Sequence, residues 1–146
     1  MVLNQNFREF VGLLNEHEVR YLIVGGHAVA AHGHPRYTDD LDVWVECTPE
    51  NARLLIQVLD DFGFSSLGLA ENDFSEPDNV IQLGYPPQRI DLLTGLSGVS
   101  FKECYPARER FQHDGLTLAI IGLECLRKNK KAVGRHQDLG DLENLE

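Results

Sequence analysis

The most constraining feature of this sequence is a short apolar run that ends in two glycines. Residues 20–24 finish in Tyr-Leu-Ile-Val, and Gly25 and Gly26 follow at once. A run this short, bounded by glycine and rich in β-prone side chains, predicts a buried strand that ends in a tight turn. The alanine-rich residues 27–32 then predict one or two helical turns, which the following Gly-His-Pro would end. The sequence therefore predicts a strand, a glycine turn and a short helix in immediate succession.

Residues 40–46 predict a second strand, with acid at its head. Leu41 and Val43 fall on one side of the alternating pattern. Asp40 and Asp42 share the other side, with roots about 7 Å apart because each strand residue adds about 3.3 Å. Like charges so placed are costly unless solvent or a cation neutralises them. Because Mg²⁺ suits all-oxygen sites and takes phosphate oxygens among its ligands, the pair indicates a phosphate substrate.

A third acid, Asp91, lies between apolar residues in a strand predicted over residues 89–93, where a carboxylate needs a reason to be present. If this strand lies beside that of Asp40 and Asp42, three carboxylates could hold two metal ions about 3.5–4 Å apart, as in nucleotidyl transfer. Two alternatives stay open. Asp91 could instead form a salt bridge with Arg89, and the Asp40–Asp42 pair could be a solvated strand end.

The rest of the chain predicts helices and further strands around these two. Helices are predicted over residues 7–17, between Thr48 and Gly63, over 101–111 and, as one or two helices, over 123–145; further strands are predicted over 80–85, 89–93 and 116–121. The strands 80–85 and 89–93 should form a hairpin through Pro86-Pro87, and the acidic segment 68–79 should be a loop. Interleaved helices and strands with one hairpin predict an α/β (α+β) fold, a single domain over 1–146 with a mixed central β-sheet flanked by helices.

Composition limits the kinds of partner that the chain can bind. With 146 residues and 42% hydrophobic content the chain can close one core. Its formal charge of -10 repels polyanions, so a nucleic-acid partner would need a local basic patch. One candidate patch exists, and its alternative is a solvated helix face. Its members are Arg127, Lys128, Lys130, Lys131 and Arg135.

The sequence also predicts the cellular compartment and the state of the cysteines. No run approaches the roughly 18 apolar residues of a membrane helix, and MVLNQNFREF does not resemble a signal peptide, so we expect a cytoplasmic protein without a membrane partner. The chain has three cysteines, Cys47, Cys104 and Cys125, without CxxC spacing. An odd number so spaced predicts buried or idle thiols rather than a disulfide framework or a zinc site.

Two segments carry a family resemblance. LIVGGHAVA at residues 22–30 and RYTDDLDV at residues 36–43 together resemble the nucleotidyltransferase (polymerase β-like) superfamily. The signature of that superfamily is an apolar strand, Gly-Gly or Gly-Ser, a short helix, and Asp-x-Asp in the next strand. The chain looks closest to small bacterial members akin to the toxin and antitoxin nucleotidyltransferases of abortive-infection type. The segment NKKAVGRHQDLGDL at residues 129–142 is similar to the end of those proteins.

The resemblance implies transfer of a nucleoside monophosphate from a nucleoside triphosphate to an acceptor hydroxyl. It implies a two-metal Mg²⁺ site, with Mn²⁺ as a substitute, held by Asp40, Asp42 and Asp91. Asp91 would also serve the acceptor. Gly25 and Gly26 would cradle the triphosphate.

The same resemblance extends to four further residues. Lys130 and Arg135 would neutralise phosphate charge or would be ordinary surface charges. Arg36 and Thr38 would touch substrate or would only brace the loop. The acceptor stays open among an RNA end, a protein side chain and a small molecule. A second copy of the chain or a partner protein could complete the acceptor site, because no appended acceptor-binding domain is evident.

Two rivals remain. A noncatalytic module, antitoxin-like, could keep the fold and bind nucleotide without transferring it. A transition-metal site could use His27, His32 and His34, although the spacing of the first two does not place them squarely on one helix face.

Overall fold

Six strands form one mixed sheet at the centre of the molecule. The computed structural model describes residues 3–34, 38–85 and 88–145. The strands are β1 (Tyr21–Val24), β2 (Leu41–Val45), β3 (Val80–Leu83), β4 (Ile90–Leu93), β5 (Glu109–His113) and β6 (Leu116–Ile120). They lie in the order β3-β4-β2-β1-β6-β5. β2 pairs with β4 and β1 with β6 in parallel, and the other pairs are antiparallel. The predicted mixed sheet is confirmed.

Helices flank the sheet. In the described part of the chain they are α1 (Gln5–Glu16), α2 (Gly25–Ala31), α3 (Pro49–Phe62), α4 (Glu71–Ser75), α5 (Phe101–Cys104), α6 (Leu123–Val133) and α7 (His136–Leu145), with a short 3₁₀ turn at Ser65–Leu67. α1 packs against α3 and β6, and α6 packs against α7. None of these helices is long and apolar enough to cross a membrane.

The helix ends follow local chemistry that the sequence displays. Thr48 caps α3 by accepting a hydrogen bond from the backbone N–H of Asn51, and Pro49 occupies the first turn. Gly63 ends α3 with φ of 95°, a conformation that glycine adopts without strain. The predicted helix between Thr48 and Gly63 is therefore present in the structure.

The core lies between α1, α3 and the sheet. It is contributed by side chains that are fully removed from solvent, including Phe10, Leu14, Leu22, Ile23 and Val43. Burying such side chains contributes roughly 1.5–3 kcal/mol each before the entropy of ordering is subtracted. The two strands β1 and β2 are central in the sheet, so the acid-bearing end of β2 rests on the most rigid part of the fold.

Residues 68–79 are not wholly a loop, as the sequence analysis had predicted. α4 forms within them, and Phe74 on α4 is fully buried. The Asp73 carboxylate accepts a hydrogen bond from the backbone N–H of Ala70 at 2.8 Å, which fixes the first turn. The prediction was wrong because one buried aromatic side chain, packed by α4 against α3, outweighs the polar composition of the segment.

Residues 101–111 do not form one helix either. α5 ends at Cys104, and β5 begins at Glu109. Tyr105 still has helical dihedrals, but Pro106 has no backbone N–H with which to continue the helical hydrogen bonds, which explains the early end. Asp114 and Gly115, at φ of 48° and 80°, form the turn between β5 and β6. An Asp-Gly pair between two strands is a strong hairpin signal. This pair was the sign in the sequence that the residues before it form a strand, β5.

The prediction for the cysteines was wrong in part. Cys104 and Cys125 form a disulfide between α5 and α6, with their Cα atoms 6.0 Å apart, while Cys47 is a free thiol. The sequence separation of 21 residues gives no hint of this proximity. Only the packing of α5 and α6 brings the two Cα atoms within the range that a disulfide spans.

Candidate active site

The three predicted acids meet at one end of neighbouring strands. Asp42 on β2 is directly opposite Asp91 on β4 in the parallel register. Asp40 immediately precedes β2, and its Oδ1 accepts a hydrogen bond from the backbone N–H of Arg89 at 2.9 Å. The condition set by the sequence analysis, that the Asp91 strand should lie beside that of Asp40 and Asp42, is met. We call Asp40, Asp42 and Asp91 the acid cluster.

Arg89 supplies the positive charge beside the acid cluster. Its Nε donates to Asp91 Oδ1 at 2.6 Å and its Nη2 to Asp91 Oδ2 at 3.0 Å, a two-pronged pair. The same Nη2 lies 3.4 Å from Asp40 Oδ2. The Asp91–Arg89 salt bridge, considered as an alternative to a metal-binding role, is therefore present together with the cluster. One guanidinium offsets only part of the charge of three carboxylates.

The surroundings of Asp42 disfavour the ionised form of its carboxyl. Burial of its carboxyl, reinforced by the neighbouring Asp91 and Asp40 and opposed by Arg89, raises the pKa of Asp42 to about 6. The ionised form is thus less favourable here than in water. A cation at Asp42 would offset that cost. Within the described ranges, no three His, Cys, Asp or Glu side chains are already arranged around a metal position.

Gly25 makes room for the Asp42 carboxylate. Its backbone has φ of 69°, and a Cβ at this position would lie 2.2 Å from Asp42 Oδ2. Any side chain here would force the carboxylate to move and would strain the backbone. Gly26, the second predicted glycine, is buried at the start of α2. The glycine pair therefore has a steric function at the acid cluster beyond forming a turn.

A cleft of about 450 Å³ connects the acid cluster to the last two helices. Its walls bring together Gly25, Asp42, Lys130 and Arg135, which are far apart in the sequence. The other lining residues are Val24, Asp78, Asn79, Val80, Leu93, Gly95, Leu96, Ser97, Asn129, Val133 and Asp138. We call this space the first cleft. Its size falls in the range of small-molecule sites.

Lys130 and Arg135 reach the first cleft already paired with carboxylates. Lys130 Nζ lies 3.1 Å from both Asp138 Oδ1 and Asp141 Oδ2, and its side chain is 5% exposed. Arg135 Nε donates to Asp138 Oδ2 at 2.6 Å, with most of its side chain in solvent. We call these four residues the paired cluster. Neither cation is therefore an unpaired surface charge, which was the alternative considered for both residues.

The predicted basic patch is mostly engaged in the same way. Arg127 bonds the carbonyl oxygen of Leu145 and, at 3.1 Å, the carboxylate of Glu124. Lys128 Nζ lies 3.4 Å from Glu103. Lys128, Lys131 and Arg135 are exposed, and of these Lys128 and Arg135 are paired with carboxylates. These pairings leave little of the patch for a polyanion.

Two other predicted residues precede the cluster. Thr38 is half-buried just before Asp40. Arg36 lies outside the described residues, as does the Pro86-Pro87 turn. The roles predicted for Arg36 and Thr38 stay predictions.

The histidines occupy separate environments. The ring of His27 is buried edge-on against Phe7, with centroids 5.9 Å apart, and its pKa is lowered to about 4 by burial and by the chain amino terminus. His32 Nε2 is engaged with the carbonyl oxygen of Ile121 at 2.8 Å. The structure gives the histidine metal site no support.

The sequence analysis missed Asp78 and the two acids of the paired cluster. Asp78 lines the first cleft although it lies in the segment predicted to be an acidic loop. Pro77-Asp78-Asn79 is a turn signal, but nothing local shows which cleft a turn faces. Asp138 and Asp141 repeat at helical spacing on α7, and this spacing was the available sign that both face one partner.

Comparison with solved structures identifies the fold. A candidate nucleotidyltransferase from Thermotoga maritima superposes with a TM-score of 0.62 at 14% identity, covering 94% of this chain and 88% of that one. The antibiotic-resistance factor ANT(2'')-Ia gives a TM-score of 0.60 at 12% identity, covering 96% and 80%. The lincosamide antibiotic adenylyltransferase LnuA, with lincomycin bound, gives 0.57 at 14%, covering 99% and 96%.

The chain has the nucleotidyltransferase fold. No protein-family profile matches the sequence. No curated protein matches it closely enough to be counted as a relative. Within this nucleotidyltransferase fold, the acid cluster occupies adjacent parallel strands and the first cleft opens beside it.

Proposed function

We propose that this chain is a metal-dependent nucleotidyltransferase that moves a nucleoside monophosphate from a triphosphate to an acceptor hydroxyl. The observation that carries the proposal is the pairing of Asp42 with Asp91 across β2 and β4, with Asp40 alongside, where Asp42 lines a cleft of about 450 Å³. The resemblance of residues 22–30 and 36–43 to the nucleotidyltransferase signature adds the reaction class. The fold found in the solved structures agrees with it.

The donor set of the acid cluster fits Mg²⁺, and Mn²⁺ equally. All of its side-chain donors are carboxylate oxygens, which hard divalent cations prefer. Burial, and after it the charges of Asp91 and Asp40, raise the pKa of Asp42, so a cation bound beside this carboxylate would offset the cost of its ionised form. Asp40, Asp42 and Asp91 would hold the metal, and Gly25 leaves the Asp42 carboxylate its space. Bound metal would supply charge neutralisation to the phosphates and to the oxygen that attacks.

The residues of the chain have separate tasks in this reaction. The acceptor oxygen forms a bond to the α-phosphorus, the bond from the α-phosphorus to the bridging oxygen breaks, and pyrophosphate leaves. Asp91, whose carboxylate Arg89 holds at 2.6 Å and 3.0 Å, accepts the hydroxyl proton. Gly25 and Gly26 allow the triphosphate to approach the backbone closely. Arg135, largely exposed on the wall of the first cleft, is the better placed of the two C-terminal cations to meet phosphate.

The finer assignments rest on the sequence. The resemblance supports a toxin or antitoxin role of the abortive-infection type. The small size of the domain supports a partner protein or a second copy of the chain that completes the acceptor site. The cytoplasmic location stays a prediction from composition.

The proposal is tested by incubating the purified protein with Mg²⁺, each α-labelled nucleoside triphosphate, total cell RNA, lysate protein and a small-molecule fraction. The matched variants are Asp40→Ala/Asp42→Ala, which removes two cluster acids, and Asp114→Asn, which removes an acid from the β5–β6 turn. We expect a labelled product with the parent protein and with Asp114→Asn, and its loss by at least about 10³-fold with the double variant, since metal stabilisation of several kcal/mol is removed. Saturable triphosphate binding without any product would favour the noncatalytic module instead.

A further inference from the structure

A second cleft adjoins the first, and Asp78 stands between them. The second cleft, of about 470 Å³, is lined on its apolar side by Trp44, Leu96, Val99 and Phe101. Asp78, Gly95 and Leu96 line both clefts. The space beside the acid cluster therefore continues past Asp78 along the face of β2.

The backbone holds Asp78 in an unusual conformation. Its φ is 60°, in the left-handed region that non-glycine residues seldom adopt. Across from it, a Cβ on Gly95 would lie 2.2 Å from Asp78 Oδ1, so the absence of a side chain at Gly95 leaves room for the carboxylate. Aspartate and asparagine adopt this region more readily than other non-glycine residues, so the backbone at this position suits either side chain.

Asp78 is exposed to solvent, and no charged side chain that lines either cleft pairs with it. Lys130 and Arg135 are matched by Asp138 and Asp141 in the paired cluster. In the second cleft, Glu46 is matched by Arg20 at 2.8 Å. Asp78 makes no salt bridge or hydrogen bond through its side chain within the described part of the chain. Lys102, exposed at the edge of the second cleft, is the opposing charge there.

The free thiol of Cys47 reports the sign of this local potential. Cys47 is partly exposed in the second cleft. Burial raises the pKa of the Cys47 thiol, and the carboxylates of Asp78 and Glu76 raise it further. The carboxylates of Asp78 and Glu76 thus both act on the Cys47 thiol in the direction expected beside negative charge.

The Asp78 carboxylate favours one part of the space for the triphosphate and another for the acceptor. Asp78 repels the phosphates of a triphosphate, which favours their position on the opposite wall, near Gly25 and Arg135. The part of the space around Asp78 and the second cleft is then left for the acceptor. Its apolar walls suit a carbon skeleton, and its charge suits a cation.

We propose that the second cleft is the acceptor site, and that Asp78 selects hydroxyl compounds that carry a protonated amine. This inference rests on the proposed nucleotidyl transfer. The amine pairs with the Asp78 carboxylate, the carbon skeleton packs against Phe101 and Leu96, and the hydroxyl points toward Asp91. An RNA end is disfavoured because its phosphates would face Asp78.

The first test reads the charge of the cleft without any transfer reaction. Cys47 in the oxidised protein is labelled with two methanethiosulfonate reagents, one cationic and one anionic, whose transferred groups are of similar size. The Cys47 thiolate attacks the reagent sulfur, a mixed disulfide forms and methanesulfinate leaves. The ratio of the two labelling rates cancels the intrinsic reactivity of the thiol.

Asp78→Asn is the informative variant, because asparagine tolerates the left-handed backbone well. Asp114→Asn is its matched control, since Asp114 also has positive φ and lies in the β5–β6 turn. We expect the cation-to-anion rate ratio to fall about tenfold in Asp78→Asn, for one charge several ångströms from the thiol. The ratio should be unchanged in Asp114→Asn. An equal ratio in the parent protein and Asp78→Asn would overturn the proposal.

The second test uses the transfer reaction with paired acceptors, each an amino alcohol or amino sugar and its N-acetyl derivative. We expect the parent protein to prefer the amine form. In Asp78→Asn, KM for the amine should rise about tenfold with kcat little changed, and the preference over the N-acetyl form should vanish. Equal use of both forms by the parent protein, or transfer to RNA ends, would overturn the assignment.

The two tests separate the failure of this inference from that of the proposed function. Transfer to neutral acceptors would uphold nucleotidyl transfer and reject the role of Asp78. No transfer with any acceptor would reject the proposed function, and the labelling ratio would then decide whether the cleft attracts cations. A cleft that does not attract cations would reject the inference in either case.

Discussion

The acid cluster and the paired cluster both reach the first cleft, the former through Asp42 and the latter through Lys130, Arg135 and Asp138. Their charges are balanced differently. In the acid cluster, three carboxylates share the guanidinium of Arg89. In the paired cluster, two cations meet two carboxylates at 2.6–3.1 Å. The acid cluster therefore keeps a net negative charge that a cation could neutralise. In the paired cluster the positive and negative side chains pair with one another. Similar residue types around one cleft can therefore be short of opposite charge in one cluster and paired with one another in the other.

The largest expected effect comes from removing the shared cation of the paired cluster. Lys130→Met should lower the free energy of unfolding by about 3–5 kcal/mol, because it removes the ammonium that two buried carboxylates share. Urea titration measures it. Lys128→Met is the control, since its partly exposed pair with Glu103 should contribute less than about 1 kcal/mol. Equal losses in the two variants would contradict a structural role for Lys130.

The next effect concerns the covalent link between α5 and α6. The Cys104–Cys125 disulfide joins α6, which carries Lys130, to α5, whose Phe101 packs on Trp44 of β2 at 5.1 Å between ring centroids. Reduction should lower the free energy of unfolding by about 3 kcal/mol, the chain-entropy value for a loop of this length. Thermal unfolding with and without reductant measures the loss. A Cys104→Ser/Cys125→Ser protein should behave like the reduced parent and be indifferent to reductant.

A smaller effect of opposite sign is expected in the acid cluster. The folded-state pKa of Asp42, about 6, lies above its usual value of 3.8. Folding therefore favours the protonated form, so ionised Asp42 costs stability above pH 6, and this cost disappears as the pH falls toward 4. Asp42→Asn should raise the free energy of unfolding by about 2 kcal/mol at pH 8 in metal-free buffer and change it little at pH 4. A loss of stability at pH 8 would contradict the uncompensated charge of this cluster.

The smallest effect tests the space beside Asp42. Gly25→Ala should cost about 1–2 kcal/mol of folding free energy, because alanine is strained at φ of 69° while the carboxylate can rotate away. Gly12→Ala is the matched control, since nothing lies within 4 Å of a Cβ there. Alanine favours the interior of α1, so the control should be stabilised by up to about 1 kcal/mol. A neutral Gly25→Ala would show that the glycine serves no steric purpose.

Sequence reasoning located the acid cluster because the information is local. Alternation along a strand sets the side on which Asp40 and Asp42 lie, and an acid in an apolar strand attracts notice at Asp91. Arg89 was the alternative partner considered for Asp91, because the two residues are close in the sequence. The signals that predicted the glycine turn and the capped helix α3 also lie within a few residues of one another in the sequence.

Features that depend on distant packing were not predictable in this way. Cys104 and Cys125 approach each other only through the docking of α5 on α6. Lys130 is buried because α7 folds back with Asp138 and Asp141 beneath it. Asp78 acquires its position from the absence of a side chain at Gly95, across the adjoining turn. In each case the partner is identified by the tertiary structure and not by spacing along the chain.

The central claim, that the acid cluster is a divalent-cation site while the paired cluster is closed, is tested most directly by Mn²⁺ titration. Electron paramagnetic resonance of free Mn²⁺ would be followed for the parent protein, Asp42→Asn and Lys130→Met, each with and without a nucleoside triphosphate whose α–β bridge cannot be cleaved. We expect saturable binding that the triphosphate tightens, that Asp42→Asn loses, and that folded Lys130→Met retains. Equal Mn²⁺ binding by the parent protein and Asp42→Asn would contradict the account.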